Sequence, residues 1–275
     1  MLRLILLLVA AIVFTVISKP SDGFNRQFLI NDYQVTNIQS STVMKQVDAN
    51  FFPMDIHIVA IGDSLTIGYG DSDNGGYLAT LEAELLKQRE IKNVTIENYG
   101  VGGFRSTQLV DKLDQSSVKY AIQDADIVLI TIGGNDIIQV VQENFFQLNH
   151  AHFEEASKKY VSNIHGMVGK INAINPNSQI FLLGVYNPLS GLFPFIPEID
   201  LIVENWNEQT ALELGKYENT HFVPLFDVFK GNEELYLYED YIHPNNNGYE
   251  HIANRVFSYL EQYQHESTYV NGKMD

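Results

Sequence analysis

Cysteine is the one residue type absent from this chain of 275 residues. Its absence excludes disulfide bonds, thiolate zinc sites and cysteine nucleophiles, and it leaves the redox compartment of the protein undecided. Basic residues are scarce, since 17 lysines and arginines accompany 34 acidic residues and the formal net charge is −17. Because phosphate binding depends on clustered Lys and Arg, this charge argues against nucleic acid or anionic lipid head groups as the main partner.

Long apolar runs are also scarce. The longest covers residues 4–17 and lies between Arg3 and Lys19. A basic residue before a short apolar run predicts an export signal, so the protein is expected outside the cytoplasm, either secreted or attached to the membrane. The run is shorter than the ~20 residues of a comfortable membrane span, and Val16 and Ser18 form a weak cleavage signal. The alternatives are an uncleaved membrane anchor and a buried N-terminal helix.

The rest of the chain is predicted to form one sizeable domain. We divide the sequence into a signal or anchor at residues 1–18, a polar spacer or peripheral strand at 19–55, the domain at 56–263 and a polar tail at 264–275. Within the domain, short apolar runs alternate with longer helical patterns, which is typical of βαβ units and a parallel sheet.

Five apolar runs are predicted to be strands covered on both faces: residues 56–61, 94–99, 126–132, 179–186 and 220–226. Helical patterns lie between and after them: residues 77–88, 106–122, 137–174 with a break near Asn149, 199–215 and 248–263. This order predicts a three-layer α/β/α domain whose ligands bind beyond the carboxyl ends of the strands.

The segment Gly62-Asp63-Ser64-Leu65 follows the first predicted strand. Its glycine allows a sharp turn, after which Ser64 can begin a helix with its hydroxyl projecting and its N–H pointing at an anion. Taken alone, Ser64 is either a nucleophile or an ordinary helix-capping serine.

Two further polar segments follow the second and third predicted strands. In residues 98–103, three glycines let backbone amides approach a ligand, or else form a flexible connector, and their spacing does not match a dinucleotide fingerprint. In residues 131–136, Asn135 offers a neutral NH₂ donor that suits a developing oxyanion. Asn135 or Asp136 could instead cap the following helix, and we assign Asp136 to that structural role.

The fourth segment contains Asp240 and His243, just before the last predicted helix. Residues three apart can lie one turn from each other, so Asp240 can accept from one ring nitrogen of His243 while the other nitrogen faces Ser64. Of the eight histidines, only His243 combines an acid three residues earlier with a place at a strand-to-helix connection.

The candidate metal ligands of the sequence are His150 with His152 and Asp71 with Asp73. Neither pair has the spaced third and fourth ligands of a zinc site, and the EF-hand pattern is absent from the sequence. We therefore expect neither a metal nor another cofactor.

Taken together and in order, the four segments resemble the SGNH branch of the GDSL family of esterases and lipases, from about residue 56 to residue 260. The resemblance implies a flavodoxin-like five-stranded parallel sheet and no cofactor. It also implies a role for five residues: Ser64 as nucleophile, His243 as base, Asp240 as its orienting partner, and the Ser64 amide, the Gly103 amide and the Asn135 side chain as the oxyanion hole. Gly103 is chosen because it stands five residues after Asn98.

The expected activity is that of a serine esterase that works through an acyl-enzyme. The segment after the fourth predicted strand, residues 187–205, is apolar and rich in proline. As a loop it could line an acyl pocket for lipid, lysophospholipid or aryl esters, or it could pack on its own helix as a lid. The alternatives are removal of O-acetyl groups from carbohydrate or peptidoglycan, an acyltransferase, and a non-catalytic binding module.

Overall fold

The computed structural model describes residues 54–72, 75–190, 192–193 and 197–271, without the side chains of Pro197 and of residues 264–271. The predicted export segment and nearly all of the predicted spacer lie outside the described residues, so their roles stay predictions. Among the helices of the described ranges, none is long and apolar enough to cross a membrane.

Five parallel strands form one sheet in the order β2-β1-β3-β4-β5, which confirms the predicted fold class. The strands are β1 (Met54–Gly62), β2 (Ile91–Gly100), β3 (Ile127–Thr131), β4 (Gln179–Leu183) and β5 (Thr220–Val223). β4 and β5 end three residues earlier than predicted. After β4, the Val185 amide donates to the Asn207 side chain at 2.9 Å rather than to a strand, and Phe226 already begins a helix after β5.

Ten helices are found in the described part of the chain: α1 (Ser64–Ile67), α2 (Gly76–Leu85), α3 (Ser106–Lys112), α4 (Ser116–Gln123), α5 (Gly134–Glu143), α6 (His150–Ile174), α7 (Pro197–Leu214), α8 (Phe226–Phe229), α9 (Glu233–Tyr236) and α10 (Asn246–Asn271). Alternate residues of β1 enter two separate cores, because successive side chains of a strand point to opposite faces. Val59 and Ile61 pack with helices α3 to α7. Ile58 and Ala60 pack with α2 and α10, which completes three layers.

Four helix boundaries differ from the sequence expectation or refine it. The predicted break near Asn149 is confirmed, and Asn149 caps α6 by accepting from the His152 amide. The helix predicted over residues 106–122 is two helices, α3 and α4. The helix predicted over residues 199–215 is confirmed as α7, which begins two residues earlier at Pro197 and takes up about half of the segment 187–205. The last helix, α10, continues eight residues past Tyr263 into the predicted polar tail.

The carboxyl ends of the three central strands lie side by side. Gly62 of β1 pairs with Gly100 of β2 and with Thr131 of β3, and Thr131 pairs with Leu183 of β4. The chain runs from β1 to β2 on one side of β1, and then crosses back to β3 on the other side of β1. The boundary between β1 and β3 is therefore the topological switch point of the sheet. The polar segments that follow these strands are therefore gathered at one place.

Candidate active site

The turn after β1 places Ser64 at the first position of α1. Gly62 has φ +149°, and a Cβ on it would lie 2.2 Å from the Thr131 carbonyl oxygen, so a larger residue does not fit here. Asp63 caps α1 because its carboxylate accepts from the Leu65 amide at 3.0 Å. Amides in the first turn of a helix have no partner within the helix, which leaves the Ser64 N–H free to face a ligand.

Ser64, His243 and Asp240 form one chain of hydrogen bonds across 179 residues of sequence. Ser64 Oγ lies 2.8 Å from His243 Nε2, and His243 Nδ1 lies 2.7 Å from Asp240 Oδ2. The structure thus brings together the three residues that the sequence singled out for nucleophilic chemistry.

The hydrogen bonds of Asp240 decide which ring nitrogen of His243 carries the proton. Partial burial raises the pKa of Asp240, but hydrogen bonds from the His243 amide and ring and from the Ile242 amide lower it by more, so the pKa lies below its ordinary value. The ionised carboxylate can only accept, so Nδ1 carries the proton and Nε2 is left to accept from the Ser64 hydroxyl.

Tyr186 stabilises the loop that carries His243. The Tyr186 hydroxyl donates to the Ile242 carbonyl at 2.6 Å, and the Tyr186 ring stacks on Phe229 with the ring centroids 4.1 Å apart. Since Tyr186 follows β4 by three residues, this hydrogen bond connects the backbone next to His243 to the carboxyl end of the sheet.

Asn135, in the first turn of α5, lines the cavity beside Ser64. One of its two amide hydrogens is donated to the Phe104 carbonyl at 2.9 Å, which leaves the second available to a ligand. Gly103 directly precedes Phe104, has φ +77° and is exposed at the surface. Asn135 is thereby tied to the glycine loop, although Gly103 itself is not among the residues that line the cavity.

Asp136 does not cap the helix that contains it, contrary to the sequence expectation. The N-cap position of α5 is Gly133, because the helix begins one turn earlier than predicted. The Asp136 carboxylate instead accepts from the Ser106 amide at 2.9 Å and from the Ser106 hydroxyl at 2.5 Å. Asp136 therefore joins α5 to the start of α3, and it fixes the glycine loop that precedes Ser106.

An apolar cavity of about 250 Å³ opens beside Ser64, His243 and Asn135. Its apolar wall includes Leu65, Ile132, Ile138, Val185, Tyr186 and Pro188. The segment after β4 divides at this point, since Pro188 faces the cavity while Leu189 and Phe193 are buried in the core with α7. The sequence hypothesis of a pocket wall thus applies to Pro188. The hypothesis of a segment packed on its own helix applies to Leu189 and Phe193.

Asp63 is a buried acid directly beside Ser64, and its burial could not be predicted from the sequence. It is 3% exposed and accepts from the Thr131 hydroxyl at 2.9 Å as well as from the Leu65 amide. Burial raises the pKa of Asp63 to about 7, against the opposing effect of these two hydrogen bonds. The group is therefore half protonated near neutral pH in the folded protein.

Asp63 should make the folded state less stable as pH rises. Its folded pKa of about 7 lies above the unfolded value of about 3.9, so its contribution to stability is full below pH ~4 and is lost as pH rises through 7. Asp63→Asn keeps an acceptor for the Leu65 amide and stays neutral at every pH. At pH 8 the free energy of unfolding of this variant should therefore exceed that of wild type by as much as about 4 kcal/mol. Urea unfolding at pH 5 and pH 8 measures the difference.

The matched control for that variant is Glu90→Gln, which neutralises an exposed acid. Wild type and Glu90→Gln should lose stability together between pH 5 and pH 8, while Asp63→Asn should lose less. Parallel losses in all three proteins would mean that Asp63 is already ionised at pH 5.

Three solved or curated proteins illustrate the similarities of this chain. The uncharacterized protein YpmR of Bacillus subtilis (strain 168) is 35% identical over 231 residues, which cover 82% of this chain and 90% of that protein. The spore germination lipase LipC of Bacillus licheniformis is 26% identical over 208 residues, 74% of this chain and 95% of that one. The crystal structure of the lipase Lip_vut3 from a goat rumen metagenome has a TM-score of 0.68 at 25% identity, and covers 74% of this chain and 96% of that one.

A doubly wound sheet with a hydrogen-bonded Ser, His and Asp at its switch point is an architecture of hydrolases. Residues 60–251, which include all five predicted site residues, match the GDSL-like Lipase/Acylhydrolase family. The chain belongs to this family and is a carboxylic ester hydrolase. The resemblance drawn from the four sequence segments is thereby confirmed.

Proposed function

We propose that the protein is a serine esterase in which Ser64 attacks the carbonyl carbon of esters with short to medium acyl chains. The observation that carries this proposal is the 2.8 Å contact between Ser64 Oγ and His243 Nε2, two residues that line the apolar cavity. A serine hydroxyl is a weak nucleophile until a base accepts its proton, and Nε2 is placed to do so.

The reaction proceeds in two halves. Ser64 Oγ forms a bond to the acyl carbon while its proton moves to His243, and the tetrahedral oxyanion accepts from the Ser64 and Gly103 amides and from Asn135. The bond to the alcohol oxygen then breaks and His243 returns the proton to it. Water, deprotonated by His243, attacks the acyl-enzyme and releases the acid with Ser64 restored. Each oxyanion donor lowers the barrier by about 3 kcal/mol in comparable sites.

The cavity supports an acyl group of limited length. An apolar cavity of about 150 Å³ holds a benzene ring of six carbons, so the 250 Å³ here would hold about ten carbons. Burying one methylene contributes about 0.8 kcal/mol, which corresponds to roughly a fourfold gain in kcat/KM. Medium-chain acyl esters, including lipids with acyl chains of this length, are therefore favoured over O-acetyl groups.

Chain length is tested with p-nitrophenyl esters from C2 to C16 and the purified full chain. We expect kcat/KM to rise by up to about fourfold per methylene and to stop rising at about C8 to C10. Ile138→Phe, which adds bulk to a half-buried side chain of the cavity wall, should move that limit down by two to four carbons and leave acetate hydrolysis within about threefold.

Leu86→Phe serves as the control, since Leu86 is exposed outside the cavity wall. It should leave the chain-length profile unchanged. A wild-type preference for C2, together with release of acetate from acetylated xylan or peptidoglycan, would contradict the acyl pocket and favour deacetylation. Transfer of the acyl group to an added alcohol in preference to water would identify an acyltransferase.

A further inference from the structure

An exposed tyrosine lies against the imidazole of His243. The ring centroids of Tyr69 and His243 are 4.5 Å apart and the ring planes are tilted by 54°. Tyr69 is 54% exposed and is not among the residues that line the acyl cavity. The imidazole therefore contacts the acyl cavity on one side and an accessible aromatic ring on another.

The backbone fixes Tyr69 in this place. Its amide donates to the Ser64 carbonyl at 3.1 Å, and its carbonyl accepts from the hydroxyl of Tyr249, a buried residue of α10, at 2.8 Å. The next residue, Gly70, has φ +95°, and a Cβ on it would lie 2.4 Å from the Pro244 carbonyl oxygen. The chain thus passes in contact with the histidine loop because Gly70 has no side chain, and the Tyr69 ring is left on the surface beside His243.

Two more exposed tyrosines lie in the loop that carries His243. The Tyr238 amide donates to the His243 carbonyl at 2.7 Å, and Tyr241 lies two residues before His243 with φ +62°. Both rings are exposed, at 40% and 50%. The loop that carries His243 therefore presents two exposed aromatic rings in addition to the ring of Tyr69.

We propose that Tyr69 contacts the alcohol part of the ester and favours alcohols that carry a ring whose face can stack on it. The inference rests on the proposed function, in which His243 gives its proton to the departing alcohol oxygen. That oxygen must lie beside Nε2, so the rest of the alcohol leaves the site past the groups that flank the imidazole outside the acyl cavity. Tyr69 is such a group, and an aromatic face binds another ring by stacking, either an aryl ring or the C–H face of a sugar.

Benzyl butyrate and n-heptyl butyrate test this inference. They share one acyl group, and their alcohols have the same number of carbons and similar acidity, so the ratio of their kcat/KM values reports recognition of the alcohol. Tyr69→Leu keeps an apolar side chain without a ring and should lower the benzyl-to-heptyl ratio about three- to tenfold. Tyr69→Phe keeps the ring and should preserve the ratio within about twofold.

A purely structural role of Tyr69 gives a different result. If the ring only supports His243, Tyr69→Leu will lower both kcat/KM values by the same factor and leave their ratio unchanged, which overturns the proposal. Tyr120→Ala, which removes an exposed ring on α4, should alter neither value. A methyl xyloside monobutyrate as a third ester distinguishes the two kinds of ring, since a sugar-specific surface loses more on this ester than on the benzyl ester.

The proposed function is checked separately in the same assay. A Ser64→Ala variant that hydrolyses both butyrates like wild type would overturn the nucleophile and this inference with it. An inactive Ser64→Ala variant combined with an unchanged ratio in Tyr69→Leu would overturn the role of Tyr69 alone.

Discussion

Replacing Ser64 with alanine is expected to lower kcat for p-nitrophenyl butyrate by about 10⁵- to 10⁶-fold. The loss is this large because the variant has no nucleophile, and the acyl-enzyme path closes altogether. The residual rate would come from water that attacks an ester bound next to the oxyanion donors, which alone give about 10³- to 10⁴-fold over the uncatalysed reaction.

Steady-state kinetics and covalent labelling together measure this loss. An alkyl p-nitrophenyl phosphonate should phosphonylate Ser64 in wild type, since Ser64 Oγ bonds to phosphorus as the bond to p-nitrophenolate breaks. Mass spectrometry of the digested protein should locate the adduct on the peptide that contains Ser64. Ser258→Ala is the matched control, because Ser258 is an exposed serine of α10 with its hydroxyl bonded to the Asn254 carbonyl. Labelling of another serine, or activity of Ser64→Ala within a hundredfold of wild type, would contradict the proposal.

The sequence was sufficient to predict the sheet, because its strands are short apolar runs separated by helical patterns. It was less informative about helix boundaries. Leu109 and Leu113 lie four residues apart on one face of α3, but Val118 follows five residues later and falls outside that face, so the apolar spacing itself marks the break between α3 and α4. The polar stretch of residues 114–117, Asp-Gln-Ser-Ser, was the local signal for a second helix start.

A stronger local signal was available for α7. Pro197 stands at its first position and Glu198 and Asp200 follow in the first turn, which is the composition expected at a helix N-terminus. This helix was predicted over residues 199–215, and its start was placed two residues late because the preceding residues are apolar and rich in proline. The helix start limits how much of residues 187–205 remains to form a wall of the cavity.

Contacts between distant segments could not be predicted from one sequence. Asp136 bonds Ser106 across 30 residues, Tyr186 bonds Ile242 across 56, and the Tyr69 carbonyl bonds Tyr249 across 180. Each contact depends on the register of the strands and on the residue at which each strand ends and its loop begins. The motifs identified Ser64, Asn135, Asp240 and His243, whereas the residues that hold these four in place emerge only from the packing.

The burial of Asp63 shows the same limit within a single motif. An acidic residue between Gly62 and Ser64 looks exposed in sequence, since acids are seldom fully buried without a partner. It is buried because β1 and β3 are adjacent, so that Thr131 covers it and donates a hydrogen bond. Its raised pKa is a consequence of strand order rather than of the local sequence.

Asp240→Asn should lower kcat by about 10⁴-fold although the side chain keeps its shape. The asparagine oxygen can still accept from the Ile242 and His243 amides, as Asp240 Oδ1 does at 3.0 Å. Its NH₂ group then faces His243 Nδ1, where the carboxylate accepted at 2.7 Å. Since an NH₂ group only donates, Nδ1 must lose its proton to Nε2, and Nε2 then presents a hydrogen to Ser64 instead of a lone pair.

The rate of phosphonate labelling at Ser64 separates this tautomer effect from a loss of folding. In Asp240→Asn, labelling and kcat should fall together, while the urea midpoint stays near that of wild type and KM changes by less than about threefold. Asp114→Asn, which removes an exposed carboxylate paired with Lys119 and Lys170, should label at the wild-type rate. Because only the Asp240 variant reverses the tautomer, normal labelling in it would mean that His243 reaches Ser64 as a base without its carboxylate partner.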